Sequence, residues 1–284
     1  MDAHFATKIE PRDPIARPVD SQVPDRMAEA SPRRWARIAG FLYLVNIIGG
    51  LFAIGYVPAA LVVPGDAAAT ARNILAHQML YRASIATHMI VLLTNLPLAV
   101  IFYDLFKVVY RRLSLLVLFF VLVGTAVEGA YLLNQFAPLL LLESGRSVSM
   151  LTAEQLQAQV AQPLALQAIG YDIEQVFYAG YLLLAGYLII RSVFLPRVVG
   201  VLLALGGMCY LIYSFADILA PGFAAHLIPY IQLPSGIGEL SFCLWLLVVG
   251  VNVQRWWEQA GAARSESPRL KDAAAVVNES PGTC

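Results

Sequence analysis

Long stretches of chain without a single charged residue decide what this sequence can fold into. From Ile38 to Gly65 there is no Asp, Glu, Lys or Arg, and five more apolar segments follow. About 20 apolar residues in a helix cover the roughly 30 Å of hydrocarbon in a bilayer. Only helices or closed barrels satisfy every backbone group there, and these segments have helical length. They predict an all-α integral membrane bundle of six transmembrane helices, over about 38–57 (perhaps reaching 63), 83–106, 113–138, 167–190, 198–219 and 235–253. Charged residues make up 13% of the chain, about half the share of a soluble domain, and most lie in the ends and short loops. Residues 1–32 and 258–284 read as disordered cytoplasmic tails, polar and lacking periodicity, around a transmembrane domain at 33–257.

Nothing near Met1 resembles a cleavable signal peptide. Arg33-Arg34 has a faint twin-arginine look, but it is read as the flank of a full-length span. The three cysteines form no CxxC pair and give no disulfide framework. A formal net charge of zero leaves no electrostatic footprint for nucleic acid. No Walker loop, HExxH, GxSxG or dinucleotide fingerprint occurs in the chain.

Orientation follows from the basic residues, which favour the cytoplasmic side. Arg33, Arg34, Arg37, Lys107, Arg111, Arg112, Arg191, Arg197 and Arg255 fall on one side, against Arg72, Arg82 and Arg146 on the other. That bias places both termini in the cytoplasm, with the chain in the plasma membrane. Trp35, Trp256 and Trp257 are expected in an aromatic belt on that side. The outer connections are longer. Pro64-Gly65-Asp66 makes a turn, with Asp66 capping a short helix over 67–75, and Thr152-Ala153-Glu154-Gln155 has the capping-box pattern of a short surface helix ending near Gln162. Arg37-x-x-Gly40-x-Leu42 is echoed by Arg197-x-x-Gly200-x-Leu202, which is read as two helix starts sharing a flanking arginine and a small packing residue. Asn46, Gly49, Gly50 and Ala53 make a small-residue stripe, read as a close helix-packing surface.

Ionisable residues inside spans are the default functional candidates of a membrane chain. His88, with Ser84 and Asn95, lies on the second span. Glu128 lies on the third with Tyr131 and Gln135, and Glu174 on the fourth with Gln167, Tyr171, Tyr178 and Tyr181. Asp217 lies on the fifth with Tyr213, Tyr210 and Gly206, and Glu239 on the sixth. Each set falls on one helical stripe. At about 1.5 Å per residue all five ionisable groups lie roughly 21–28 Å from the cytoplasmic ends of their spans. If the stripes face inward, they line one polar, outward-facing pocket for a cation, a proton or a polar small molecule. Four carboxylates and an imidazole would also suit a divalent metal, so a metal-dependent membrane enzyme is an alternative. A bundle glued by carboxylate–tyrosine hydrogen bonds, acting as an interaction protein, is another. Asp104, beside Lys107, reads as half of an ion pair, and Asp172 points to a different face from Glu174.

Several segments carry a family resemblance: Arg37-Ile38-Ala39-Gly40 with Leu42-Tyr43-Leu44, Val63-Pro64-Gly65-Asp66-Ala67-Ala68-Ala69-Thr70-Ala71, Gly186-Tyr187-Leu188-Ile189 with Arg191-Ser192, Leu195-Pro196-Arg197 with Gly200, Gly238-Glu239 and Leu244-Trp245-Leu246-Leu247. On these the chain from about 37 to 252 resembles the bacterial membrane family called domain of unknown function 4386. The resemblance implies a multi-pass membrane protein of undefined activity. It carries over no catalytic residues or cofactor, and it places Asp66 and Glu239 inside family motifs.

Overall fold

The computed structural model describes residues 31–143 and 148–263. The tail expectations for residues 1–30 and 264–284, and Arg146, lie outside that description. Six helices are long and apolar enough to cross a membrane. They are α1 (Pro32–Leu61), α3 (Gln78–Phe106), α4 (Arg111–Leu141), α5 (Ala153–Arg191), α6 (Arg197–Leu219) and α8 (Tyr230–Val249). Shorter helices are α2 (Ala67–Ala76) and α7 (Pro221–Leu227), and α9 covers 253–263. The protein is an all-α integral membrane protein.

Most helix ends run past the sequence expectation. Arg33, Arg34 and Arg37 all lie inside α1, because a helix end at the bilayer surface lets long basic side chains reach water. The expected surface helix near Thr152 exists, with both capping-box hydrogen bonds. It does not end at Gln162: a π-helical turn at Gln157–Ala161 joins it to the fourth span. Pro163 falls in the first turn after that joint. Past Val249, Gly250 turns the chain with φ 73°, a left-handed conformation that favours glycine, and α9 runs on to 263, beyond the 257 expected for the transmembrane domain.

Short connections make consecutive helices antiparallel neighbours. Each span packs against the one before and the one after it, and α8 returns to α1. The result is a closed ring in which the described ends of the chain lie on one face, called here the terminal face. Small residues let the backbones approach. A side chain at Gly40 would meet the Leu247 nitrogen at 2.5 Å, and one at Gly186 would meet the Gly200 carbonyl oxygen at 2.6 Å. The echoed glycines are thus both points of close helix contact. Cys243 donates to the Gly40 carbonyl at 3.4 Å and Arg37 to that of Val248 at 3.2 Å, fastening the α8–α1 seam near the terminal face.

The half of the ring next to the terminal face is solid. Phe102, Leu105, Phe106, Leu188, Ile189, Phe242 and Leu246 are fully buried there. The Phe102 ring lies 5.4 Å from Phe242 and 6.1 Å from Tyr181. Trp256 is part of this core rather than of a lipid-facing belt: it is 3% exposed and donates its indole N–H to the Leu105 carbonyl at 3.1 Å, because α9 folds back over the terminal face, held by Asn252 N–H to the Phe194 carbonyl. At the opposite face α2 forms part of a roof. Asp66 caps it through the Ala69 N–H at 2.8 Å, and Ala71 packs with Leu141, Leu156 and Val160. A second cluster of Val57, Leu61, Ile74, Tyr81, Ile85, Leu132 and Leu139 lies beneath α2.

Candidate functional site

Between the solid half and the roof the ring encloses a cavity of about 680 Å³, to which all six spans contribute. That volume lies within the usual 300–1,000 Å³ of small-molecule sites. Its wall is largely apolar, with Ile47, Ile54, Leu98 and Phe120, and Phe102 at the boundary with the solid core. α5 contributes the largest set of polar groups, with Gln167, Tyr171, Glu174, Tyr178 and Tyr181 recurring at helical spacing on one face.

Three buried carboxylates line this space, and each has different company. Glu128 of α4 is hydrogen-bonded to His88 Nε2 at 2.9 Å and accepts from Asn95 Nδ2 at 3.2 Å. His88, fully buried on α3, stands behind Glu128, with its ring 5.9 Å from that of Tyr131. Glu239 of α8 accepts hydroxyl hydrogen bonds from Tyr43 at 3.1 Å and Tyr178 at 2.5 Å, and a third from Tyr210. Those donors come from α1, α5 and α6, so Glu239 ties four spans together.

Glu174 of α5 is different. It is 9% exposed and has Glu128 and Glu239 as charged neighbours. Among the described residues no group hydrogen-bonds its carboxylate. Room for it is left by Gly124 on α4, where a side chain would lie 3.4 Å from Glu174 Oε1. Other buried polar atoms of the lining also lack partners: the Tyr131 hydroxyl and the amide oxygens of Gln135 and Gln175. Gln175 spends its amide N–H on the Tyr171 hydroxyl at 2.5 Å.

Asp217 corrects the expectation of five groups around one pocket. It is partly exposed, lies two residues from the end of α6 and does not line the cavity. Its carboxyl is hydrogen-bonded to Asp172 of α5, with Tyr213 beside the pair. The reason is packing: Gly206 and Gly207 hold α6 tightly against Ser235 of α8 and Ala179 of α5, so α6 gives the cavity only Tyr210. Asp172 does face away from Glu174, and that other face is the one that meets α6.

The small-residue stripe of α1 divides in the same way. Gly49 is a packing residue, since a side chain there would meet Val91 at 2.7 Å, whereas Gly50 faces the cavity with nothing near. Tyr43, Asn46, Ile47 and Gly50 form an i, i+3, i+4, i+7 stripe that lines the site. That spacing was the signal that marks Tyr43, a cavity residue absent from the sequence-derived candidates. Asp104 bonds Lys107 at 2.9 Å, away from the cavity. Among the described residues no three His, Cys, Asp or Glu side chains gather as a metal-holding group, so the metal-dependent alternative gains no support.

The family model described as "Domain of unknown function (DUF4386)" matches residues 38–250. The chain belongs to the DUF4386 family. The match runs from the first turns of α1 to the glycine that ends α8, so it takes in the whole ring and every cavity residue. No curated protein and no solved structure matches the chain.

Proposed function

We propose that this DUF4386 protein binds a cation or a polar small molecule in its central cavity, on the side of a bacterial plasma membrane opposite its cytoplasmic termini, as a transporter or sensor. Glu174 carries this reading. An ionised carboxylate taken out of water is costly unless something satisfies it, and the other two carboxylates of the cavity already have partners. Two more negative groups nearby deepen the local preference for a cation or a proton. Tyr131, Gln135 and Gln175 of the same lining add unused hydrogen-bonding atoms of the kind that orient a polar ligand.

The test uses the purified full-length protein in detergent. Thermal unfolding is followed during titration with ethylammonium chloride, with sodium chloride at equal ionic strength as reference. A ligand that binds only the folded state raises the melting temperature. Stabilisation by ethylammonium that disappears in Glu174→Gln, in a variant that still folds, is the expected result. No stabilisation beyond the salt reference, or equal stabilisation of the variant, overturns the reading. Orientation rests on the nine-to-three bias of basic residues and is tested by reporter fusions. A fusion at Ala262 should report a cytoplasmic position and one between residues 143 and 152, before α5, an external one, and the reverse result overturns the topology.

A further inference from the structure

The way into the cavity identifies the class of ligand further. Of the residues lining it, Leu51 and Gly55 on α1, Gly236 on α8 and Ala168 on α5 are exposed. The three on α1 and α8 flank one seam of the ring and mark its mouth, whereas Ala168 lies on α5, between α4 and α6. The solid core blocks the terminal face, and the apolar clusters beneath and beside α2 cover part of the opposite face. The side of the ring is open as well, between the halves of α1 and α8 that lie away from the terminal face.

Geometry places the opening within the membrane. α1 and α8 touch closely at Gly40 and Leu247. Eleven residues further along each helix stand Leu51 and Gly236, about 16 Å deeper into the span. There the close contact is lost: a side chain added at Gly50, Gly55 or Gly236 would meet nothing within 4 Å. Gly236 lies about 20 Å along its span from Val249, still inside a hydrocarbon layer of roughly 30 Å. The flanks of the opening are exposed and apolar, with Ile48, Tyr56, Leu233 and Ile237 between 56% and 60% exposed. The α1 side of the mouth is a π-helical turn, Leu51–Tyr56, an irregularity frequent at functional sites.

A side opening flanked by apolar residues is unsuited to a fully hydrated ion, which would have to cross lipid to reach it. It suits a molecule already dissolved in the bilayer. The cavity supplies two environments in series, an apolar wall behind the mouth and the unpartnered Glu174 carboxylate among Tyr131, Gln135 and Gln175. From this geometry, and resting on the reading of Glu174 above, we infer that the ligand is a membrane-dissolved amphiphile, a long-chain amine or ammonium compound that passes sideways between α1 and α8. Its cationic head reaches Glu174 and its hydrocarbon chain lies along the apolar wall and out through the mouth.

The experiment uses the full chain in phosphatidylcholine nanodiscs and two photoreactive probes, octadecylamine and octadecanoate, each with a diazirine near the middle of the chain. Cross-linked peptides are read by mass spectrometry. The amine should label cavity and mouth residues at least fivefold more than the carboxylate. Gly55→Trp combined with Gly236→Trp should cut amine labelling at least fivefold, because both glycines stand at the mouth and a Cβ at either meets nothing within 4 Å. A circular dichroism spectrum like that of the wild type and a cooperative thermal unfolding transition show that the double variant folds. Equal labelling by the two probes overturns the cationic head, and labelling indifferent to the two tryptophans overturns the lateral route. Ethylammonium binding without amine labelling sinks this inference alone, whereas loss of ethylammonium binding in the wild type sinks the Glu174 reading beneath it.

Discussion

The two halves of the ring are built from the same six helices, yet they solve the problem of packing in a bilayer differently. Beside the terminal face, aromatic and aliphatic side chains interlock around Phe102 and glycines bring backbones together. In the other half the same helices carry carboxylates, tyrosines and amides around open space. In lipid, apolar contact between helices gains little from the hydrophobic effect, so dispersion and close fit supply the attraction. The contrast teaches that stability is concentrated in the solid half, which leaves the hollow half free to hold a buried carboxylate without partners.

Several substitutions sharpen or break that contrast. Phe102→Ala removes a fully buried ring where the solid core meets the cavity and should be the largest effect, a loss of about 3 kcal/mol, measured by reversible unfolding in mixed micelles. Gly186→Ala comes next. Its methyl would press on the Gly200 carbonyl oxygen at 2.6 Å, and overpacking of that kind costs about 2 kcal/mol. Glu239→Gln should cost about 1–2 kcal/mol, since all three tyrosine donors lose their charged acceptor and the new amide nitrogen cannot accept. Smallest, and opposite in sign, is Glu174→Gln. It removes a buried charge that no protein group satisfies and should leave stability unchanged or raise it by about 0.5 kcal/mol. A large destabilisation by Glu174→Gln, or a negligible one by Phe102→Ala, would break the division of labour between the halves.

The spans were readable from sequence because the cost of burying charge in hydrocarbon leaves an unmistakable trace, such as the uncharged run from Ile38 to Gly65. Their ends were less readable. Gln157, Gln162 and Pro163 look like a surface break, yet a π-helical turn carries the backbone through them. Helical period tells which residues share a stripe but not which neighbour the stripe meets. That is why Glu128, Glu174 and Glu239 were found together while Asp217, with the same depth and period, proved to belong to the α5–α6 seam with Asp172. The role of Gly50 was hidden for the same reason. A glycine that lets helices touch and one that leaves a space open are identical in sequence, and only the position of α3, which meets Gly49 and not Gly50, separates the two.

Ring closure by the last span also orders the birth of the protein. Glu239 arrives on α8, whereas the hydroxyls that bind it sit on α1, α5 and α6. A ribosome adding about 5–20 residues per second leaves α1 in the membrane for roughly 10–40 s before Val249 is made. During that interval Tyr43, Tyr178 and Tyr210 face an incomplete, C-shaped assembly whose polar interior is open to lipid along its whole length. A chain truncated before α8 would be trapped in that state, a natural substrate for membrane quality-control proteases, while the completed chain is sealed by Gly40 and Leu247 at one end of the seam only.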